Sequence, residues 1–172
     1  MQLGKEPLIS SEAIRKRTAD LAERISKDFD GLEVTAIVVL KGALPFAADL
    51  IRRLRIPVRL EFIRAKSYAG AVSTGRIELL HKPEEPLAGK HLLVIEDILD
   101  TGRTAAAIMD YLRAQQPARL ALCTLLDKPS RRVVEIRSDY TGFTIDNHFV
   151  VGYGLDYEEA FRNLPYVCVL ED

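Results

Sequence analysis

The stretch from residue 91 to residue 112 constrains the fold more than any other part of the chain. It opens with an apolar run, residues 92–95, that is short and continuous enough for a strand buried on both faces, as in a parallel sheet. Three carboxylates follow within five positions: Glu96, Asp97 and Asp100. Residues 101–104 then read Thr-Gly-Arg-Thr and lead into an alanine-rich segment of good helix propensity. The pattern predicts a strand, an acidic loop, a tight turn and a helix, in that order.

This order of elements has a chemical interpretation. Small residues at a helix N-terminus leave backbone N–H groups free to hold a phosphate, and the hydroxyls of Thr101 and Thr104 add donors. The carboxylates just upstream would repel that phosphate, so they must face a metal ion or sugar hydroxyls. A single ligand with both a ribose and a phosphate satisfies both groups. The alternative is an ordinary strand–turn–helix whose acids are solvated.

The bulk properties exclude several classes of function. A chain of 172 residues is the length of one domain. Its net charge is −1 and its pI about 6.3, which gives no global electrostatic case for nucleic acid or an anionic membrane. No apolar run approaches the ~18 residues that span a bilayer, and the first residues lack the apolar core of a signal peptide. Cys123 and Cys168 lie in apolar runs typical of buried free thiols. We expect a cytoplasmic protein.

Apolar runs and amphipathic segments alternate along the chain. Strands are predicted at residues 34–40, 58–63, 76–80, 92–95 and 118–126, with shorter pieces at 143–145, 149–151 and 166–170. Helices are predicted from Ser10 or Ser11 to near Gly31, from about 44 to 54, and from the Thr-Gly-Arg-Thr turn to near Gln116. Residues 66–75 are small and polar and indicate a mobile surface loop. The alternation favours an α/β fold with a parallel sheet, whose carboxyl edge is where ligands bind.

Other motifs do not meet their structural requirements. Gly152-Tyr-Gly154 lacks the third glycine and the helix of a dinucleotide-binding fingerprint. No phosphate-binding loop of the Gly-x-x-x-x-Gly-Lys type occurs, and the three histidines have no metal-ligand spacing. We find no candidate for a covalent nucleophile.

Five segments in order resemble the hypoxanthine-guanine branch of the type I phosphoribosyltransferases: residues 40–42, 66–68, 94–104, 126–128 and 149–162. The resemblance covers nearly the whole chain. It implies a single domain over residues 1–172, with a twisted parallel sheet flanked by helices. The core would span about 30–140, and a small hood would come from about 1–10 and 141–172. The implied reaction is Mg²⁺-dependent transfer of the 5-phosphoribosyl group of 5-phosphoribosyl-1-pyrophosphate to N9 of hypoxanthine or guanine, which yields IMP or GMP and pyrophosphate.

The resemblance assigns roles to the central segment. Glu96 and Asp97 would hold the ribose hydroxyls, with a magnesium ion close by. The 5′-phosphate would be wrapped by the loop residues Asp100, Thr101, Gly102, Arg103 and Thr104. Asp100 would also lie near purine N7 as the general base or acid. Arg103 stands where many relatives have lysine, and the two cations differ in reach and geometry.

The pyrophosphate and the closing loop are assigned by the same resemblance. Lys41 and Gly42 match a loop whose amides meet the pyrophosphate and in which relatives carry a non-proline cis peptide, here Leu40–Lys41. Arg162 aligns with a second pyrophosphate contact. Ser67 and Tyr68 align with a flexible loop that closes over the reacting groups and would exclude water.

The base pocket is assigned to four residues: Lys128, Phe149, Val150 and Asp156. By the resemblance, Phe149 stacks on the purine, Lys128 donates to the purine O6, and Val150 and Asp156 offer backbone contacts; Asp156 would also lie near a second magnesium ion. A lysine ammonium donates but cannot accept, so it favours a 6-oxopurine over adenine. The segment Ile145-Asp146-Asn147 lacks a proline common in relatives, which could blur guanine against hypoxanthine.

Two rival functions stay open at this point. One is a xanthine- or adenine-preferring transferase, which Lys128 disfavours. The other is a nucleotide-sensing regulator of the same fold that contacts RNA, for which a coherent basic face would be needed. Arg52, Arg53 and Arg55 cluster, but the overall charge is slightly negative. Relatives of the enzyme class are commonly dimers or tetramers, so we expect a homo-oligomer.

Overall fold

The computed structural model describes residues 2–67 and 77–171. The strands in chain order are β1 Gln2–Leu3, β2 Val34–Leu40, β3 Val58–Ser67, β4 Ile77–His81, β5 His91–Leu99, β6 Arg119–Asp127, β7 Tyr140–Thr144, β8 Val150–Val151 and β9 Cys168–Glu171. The helices are α1 Ser11–Asp28, α2 Leu44–Ile51 and α3 Arg103–Ala114, and Pro129–Arg131 forms a 3₁₀ turn.

Six of these strands form the main sheet, in the order β4-β3-β2-β5-β6-β7. Every pairing from β3 to β7 is parallel, which confirms the predicted α/β sheet. The edge strand β4 is antiparallel to β3, so the sheet is mixed. The antiparallel pairing uses the end of β3, which does not stop at Ile63 as predicted but continues to Ser67, where it pairs with Ile77. Residues 66 and 67, predicted as loop, are therefore strand residues. The rest of that predicted loop, with Tyr68, lies outside the described residues.

Helices cover both faces of the sheet. On one face, α1 and α2 pack against alternate residues of the central strands, including Leu93 and Ile95. On the other face, α3 packs against the intervening residues, including Leu92 and Val94. Both sets of side chains are fully buried, so the central strands carry apolar residues toward both faces, as parallel sheets do. The side chain of Ser10 caps α1 by accepting from the N–H of Ala13, as predicted.

The chain leaves β2 and β5 toward opposite faces of the sheet. The loop after β2 leads to α2 on one face, whereas the loop after β5 leads to α3 on the other. The ladder between the two strands ends at the pair Val38 and Ile95, and both strands run on beyond it. Such a divergence at the carboxyl ends of two parallel neighbours opens a crevice, which is where α/β folds bind ligands.

A second, three-stranded sheet has the order β1-β9-β8 and joins the two ends of the chain. This smaller sheet corresponds to the predicted hood. We expected its C-terminal part to begin near residue 141, but β7 pairs with β6 in the main sheet, and the C-terminal strands of the smaller sheet begin at Val150.

Cys123 and Cys168 are buried and free, as predicted. Within the described ranges, no helix is both long and apolar enough to cross a membrane.

Candidate active site

The crevice beside the end of β5 contains a cavity of about 200 Å³. Its lining combines one carboxylate of the strand with the loop that precedes α3: Glu96, Ile98, Leu99, Asp100, Thr101, Gly102, Thr104 and Ala105. The sequence predicted Glu96 and Asp97 in a loop, but β5 continues through both of them to Leu99. The reason is the ladder to β6, which extends to the pair Leu99 and Asp127 and overrides the low strand propensity of acidic residues. A strand holds these two carboxylates more firmly than a loop would.

Burial shifts the pKa values of the two strand carboxylates. Burial raises the pKa of Glu96 well above its ordinary value, and the neighbouring charge of Asp97 raises it further. Burial also raises the pKa of Asp97, although the N–H of Ile98, which donates to Asp97 Oδ1 at 2.8 Å, opposes the shift. Glu96 Oε2 is buried without a hydrogen-bond partner among the described residues. A buried acceptor of this kind is costly to leave unmatched, so it fits a ligand that brings hydroxyl donors or a cation.

These carboxylates also suit magnesium. Mg²⁺ is bound in proteins by one or two carboxylates, with waters and substrate phosphates completing its shell. Glu96 and Asp97 supply that number of carboxylates. Asp156, which the resemblance places near a second magnesium ion, pairs with Arg162, its Oδ1 lying 2.8 Å from Nη2. Within residues 2–67 and 77–171, no three acidic, histidine or cysteine side chains form a group able to hold a metal ion.

The loop that the resemblance assigns to the 5′-phosphate leads directly into α3. Gly102 occupies the N-cap position of α3 with φ of 84°, a left-handed conformation that favours glycine. Gly102 has no side chain to cap this end of α3, the N–H of Arg103 makes a long contact of 3.5 Å to Thr101 Oγ1, and Thr101, Gly102 and Thr104 line the cavity here. The arrangement is that of an anion site at a helix N-terminus.

Arg132 anchors the backbone of this loop at the end of β5. The sequence did not predict this role. Its guanidinium donates to the carbonyls of Leu99 and Asp100 and pairs with the carboxylate of Asp127. Both partners of this ion pair are largely buried, with side-chain exposures of 15% and 18%. Arg132 therefore joins the carboxyl ends of β5 and β6. Only its position after Lys128, among several other basic residues, hinted at this role.

We predict that Arg132→Lys lowers the free energy of unfolding by about 1–3 kcal/mol, because one ammonium cannot serve two carbonyls and a carboxylate in fork geometry. Urea denaturation measures the change. Arg113→Lys, at an exposed ion pair with Asp110, is the matched control and should stay within about 0.5 kcal/mol of the wild type. Equal losses in the two variants would contradict the role of Arg132.

The loop after β2 approaches the same crevice from the other side. The Leu40–Lys41 peptide bond is cis, as predicted. Gly42 lies against the Asp97 carboxylate so closely that a Cβ atom would come within 1.7 Å of Oδ2. On its other side, a Cβ atom at Gly154 would lie 1.9 Å from the carbonyl oxygen of Gly42. Glycines at 42 and 154 thus allow three chain segments to meet beside Asp97.

The side chains of Lys41 and Arg162, both of which belong to the predicted pyrophosphate site, come together at this point. Lys41 Nζ lies 2.9 Å from Glu159 Oε2, and Arg162 Nη2 lies 3.4 Å from the same oxygen. Arg162 also donates to the carbonyl of Gly154 at 2.7 Å. The structure thus brings Lys41 and Arg162 to one carboxylate, which sequence reasoning did not identify.

Of the predicted base-pocket residues, Lys128 directly follows β6 and contacts the segment that leads to Phe149. Lys128 is buried, burial lowers its pKa, and its Nζ donates to the backbone carbonyl of His148 at 2.6 Å. Phe149 follows directly, half exposed, with its ring edge-to-face with Tyr157 at 5.8 Å. Val150 is buried in β8. The exposed ring and the lysine therefore lie on adjacent segments. Of the predicted closing loop, Ser67 is the last residue of β3, and Tyr68 is not among the described residues.

Comparison with known proteins is decisive for the family. The sequence-family model of the phosphoribosyl transferase domain matches residues 8–158 of this chain. The hypoxanthine-guanine phosphoribosyltransferase of Streptococcus pneumoniae is 41% identical over 169 residues, 98% of this chain and 94% of the relative. The chain belongs to the hypoxanthine-guanine phosphoribosyltransferase family. A second member, from Lactococcus lactis, is 42% identical over 165 residues, 95% of this chain and 90% of that protein.

Solved structures of the family share the fold throughout. A crystal structure of a hypoxanthine-guanine phosphoribosyltransferase from Bacillus anthracis superposes with a TM-score of 0.93 at 42% identity, covering 97% of this chain and 99% of that one. A hypoxanthine phosphoribosyltransferase from Staphylococcus aureus gives 0.93 at 39% identity, covering 97% and 91%. The type I phosphoribosyltransferase fold predicted from the sequence is thereby confirmed.

Proposed function

We propose that this chain transfers the 5-phosphoribosyl group of 5-phosphoribosyl-1-pyrophosphate to N9 of hypoxanthine or guanine, releasing pyrophosphate and forming IMP or GMP. This is a purine salvage reaction. The observation that carries the proposal is the shared cavity at the end of β5, where Glu96 and the Thr101–Thr104 loop line one space. Family membership over nearly the whole chain supports the same reaction.

Each part of the ribosyl donor has a counterpart in the crevice. Glu96 and Asp97 accept from the ribose hydroxyls, and the N-terminus of α3 holds the 5′-phosphate. Lys41 and Arg162 face the pyrophosphate. Bound Mg²⁺, held by the two strand carboxylates together with the substrate, would neutralise part of the pyrophosphate charge.

The chemistry is a displacement at the ribose C1. The bond to pyrophosphate breaks while the bond to purine N9 forms, and positive charge develops on the sugar ring. Lys41 and Arg162 stabilise the charge that develops on the leaving pyrophosphate. Asp100, at the mouth of the cavity, holds or accepts the proton at purine N7.

Lys128 determines which bases are accepted. Its ammonium donates to the 6-oxo group but meets the 6-amino group of adenine donor to donor. Lys128→Gln should raise the adenine-to-hypoxanthine ratio of kcat/KM about tenfold, since a glutamine amide can also accept. Lys90→Gln, in the residue directly before β5 and away from the base pocket, is the control and should leave the ratio unchanged. Initial rates of nucleotide formation give both values, and an unaltered ratio in Lys128→Gln would contradict the assignment.

The reaction itself is tested by initial rates with hypoxanthine, guanine, xanthine and adenine, each with and without Mg²⁺. Pyrophosphate release that requires a 6-oxopurine and Mg²⁺ supports the proposal. Rates highest with xanthine would favour the xanthine-preferring alternative. Filter binding with RNA tests the regulatory alternative. In the basic cluster that would serve it, Arg52 and Arg53 both contact the Asp49 carboxylate, at 2.5 and 3.6 Å.

We further propose that the enzyme works in the cytoplasm as a homo-oligomer, a dimer or tetramer. The two buried free thiols are compatible with a reducing compartment. Sedimentation of the purified protein, with and without the ribosyl donor, tests the oligomeric state.

A further inference from the structure

One carboxylate, that of Glu159, contacts the side chains of Lys41 and Arg162, the two charged residues assigned to the pyrophosphate site. Glu159 Oε2 lies 2.9 Å from Lys41 Nζ and 3.4 Å from Arg162 Nη2. We propose that Glu159 is a built-in competitor for pyrophosphate: its carboxylate holds Lys41 and Arg162 in the free enzyme and is displaced when the pyrophosphate group binds. The inference rests on the proposed function, and it assigns to Glu159 the control of affinity at the pyrophosphate site.

The chemistry of the contact supports competition. A carboxylate oxygen and a phosphate oxygen are both anionic acceptors that take charge-assisted hydrogen bonds from lysine and arginine. Lys41 cannot direct its ammonium at Glu159 and at a pyrophosphate oxygen in the same position. The pair is exposed, with side-chain exposures of 51% for Lys41 and 65% for Glu159. Exposed ion pairs are weak, so a multiply charged pyrophosphate can displace this one, and the cost of displacement appears as reduced affinity.

The backbone around Glu159 is arranged to present its side chain. Glu158, Glu159 and Phe161 have φ values of 51°, 65° and 73°, in the left-handed region that non-glycine residues seldom adopt. A bridge between Tyr157 and Ala160 closes the turn, and the N–H of Glu159 donates to Asp156 Oδ2 at 3.0 Å. The turn thus directs the carboxylate to Lys41, which is 118 residues away in sequence. Residues held in such conformations concentrate at functional sites.

A consequence follows for turnover. As pyrophosphate leaves, the Glu159 carboxylate can take over its contact to Lys41 and join the Asp156 carboxylate at Arg162, so both cations keep an anionic partner. Glu159 should therefore weaken retention of the product and of the ribosyl donor, without touching the purine.

Glu159→Gln tests the proposal because it removes the charge and keeps the shape. We expect pyrophosphate to bind the variant about 2–10 times more tightly, as a product inhibitor and by calorimetry with Mg²⁺, the effect of losing two exposed ion-pair contacts. The KM for the ribosyl donor should fall in parallel, and the KM for hypoxanthine should not change. Glu158→Gln is the matched control: it has the same charge change, one residue away, at a similar φ, and should leave pyrophosphate affinity unchanged.

The outcomes separate this inference from the proposed function. Equal tightening in both variants would indicate a general effect of net charge and overturn the role of Glu159. Weaker pyrophosphate binding in Glu159→Gln would do the same, since Glu159 would then support the bound state. A wild-type enzyme that releases pyrophosphate with hypoxanthine, beside an unaltered Glu159→Gln variant, rejects only the competitor. A wild type with no such activity on any 6-oxopurine rejects the proposed function itself.

Discussion

Replacing Asp100 by asparagine should lower kcat by about 10²–10⁴-fold, the usual contribution of a general acid or base, while the KM values for both substrates stay within a few-fold. Asparagine keeps the size of the side chain and its place at the cavity mouth, but it cannot accept a proton. A loss confined to kcat would place the contribution of Asp100 in the transition state rather than in substrate binding.

The geometry around Asp100 makes this test specific. The carboxylate is 38% exposed beside the phosphate loop, and Arg131 Nε donates to its Oδ1 at 3.2 Å. The carbonyl of Asp100 is held separately by Arg132, so substitution of the side chain leaves the loop anchored. Initial rates and a single-turnover experiment measure the effect. Asp110→Asn, on the exposed face of α3, changes charge in the same way and should leave kcat unchanged. An unchanged kcat in Asp100→Asn would remove Asp100 from the mechanism.

The sequence predicted the strands of the core because their apolar runs are continuous. It misplaced strand ends for a common reason: pairing partners far away in sequence extend a strand beyond its apolar residues. Glu96 and Asp97 belong to β5 because β6 pairs as far as Leu99, and Ser67 belongs to β3 because it pairs with Ile77. Neither extension is encoded in local propensity.

In the candidate site, too, the local sequence pattern predicted one part, and long-range contacts determine the rest. The order of carboxylates and small residues after β5 predicted a ribose–phosphate site, and the structure does place Glu96 beside Thr101 and Thr104. The contacts that complete the site are long-range: Glu159 reaches Lys41, and Gly154 packs on Gly42. An exposed glutamate and a glycine in a loop carry no local signal for such contacts. They depend on how the C-terminal segment folds back over the main sheet.

Replacing Glu96 by glutamine should make the free protein more stable and a poorer enzyme. Without ligand and in the presence of a chelator, we expect the melting temperature at pH 8 to rise by about 2–6 °C, because a buried charge with an unmatched oxygen is removed. The kcat/KM for the ribosyl donor should fall about 10–100-fold, the effect of losing one charge-assisted hydrogen bond. Opposite changes in stability and activity characterise residues kept for function.

The pH dependence of this stability gain distinguishes it from improved packing. Because burial raises the pKa of Glu96, the folded chain binds its proton more tightly than the unfolded chain does. The free energy of unfolding of the wild type therefore falls as pH rises from the ordinary glutamate pKa, about 4.5, to the raised value, and the full cost is present above it. Glutamine does not titrate, so the advantage of Glu96→Gln should be greatest at pH 8 and vanish toward pH 4.5. Urea denaturation across this range measures it, with the exposed Glu84→Gln as the control. A constant difference at every pH would mean that the gain comes from packing and not from the buried charge.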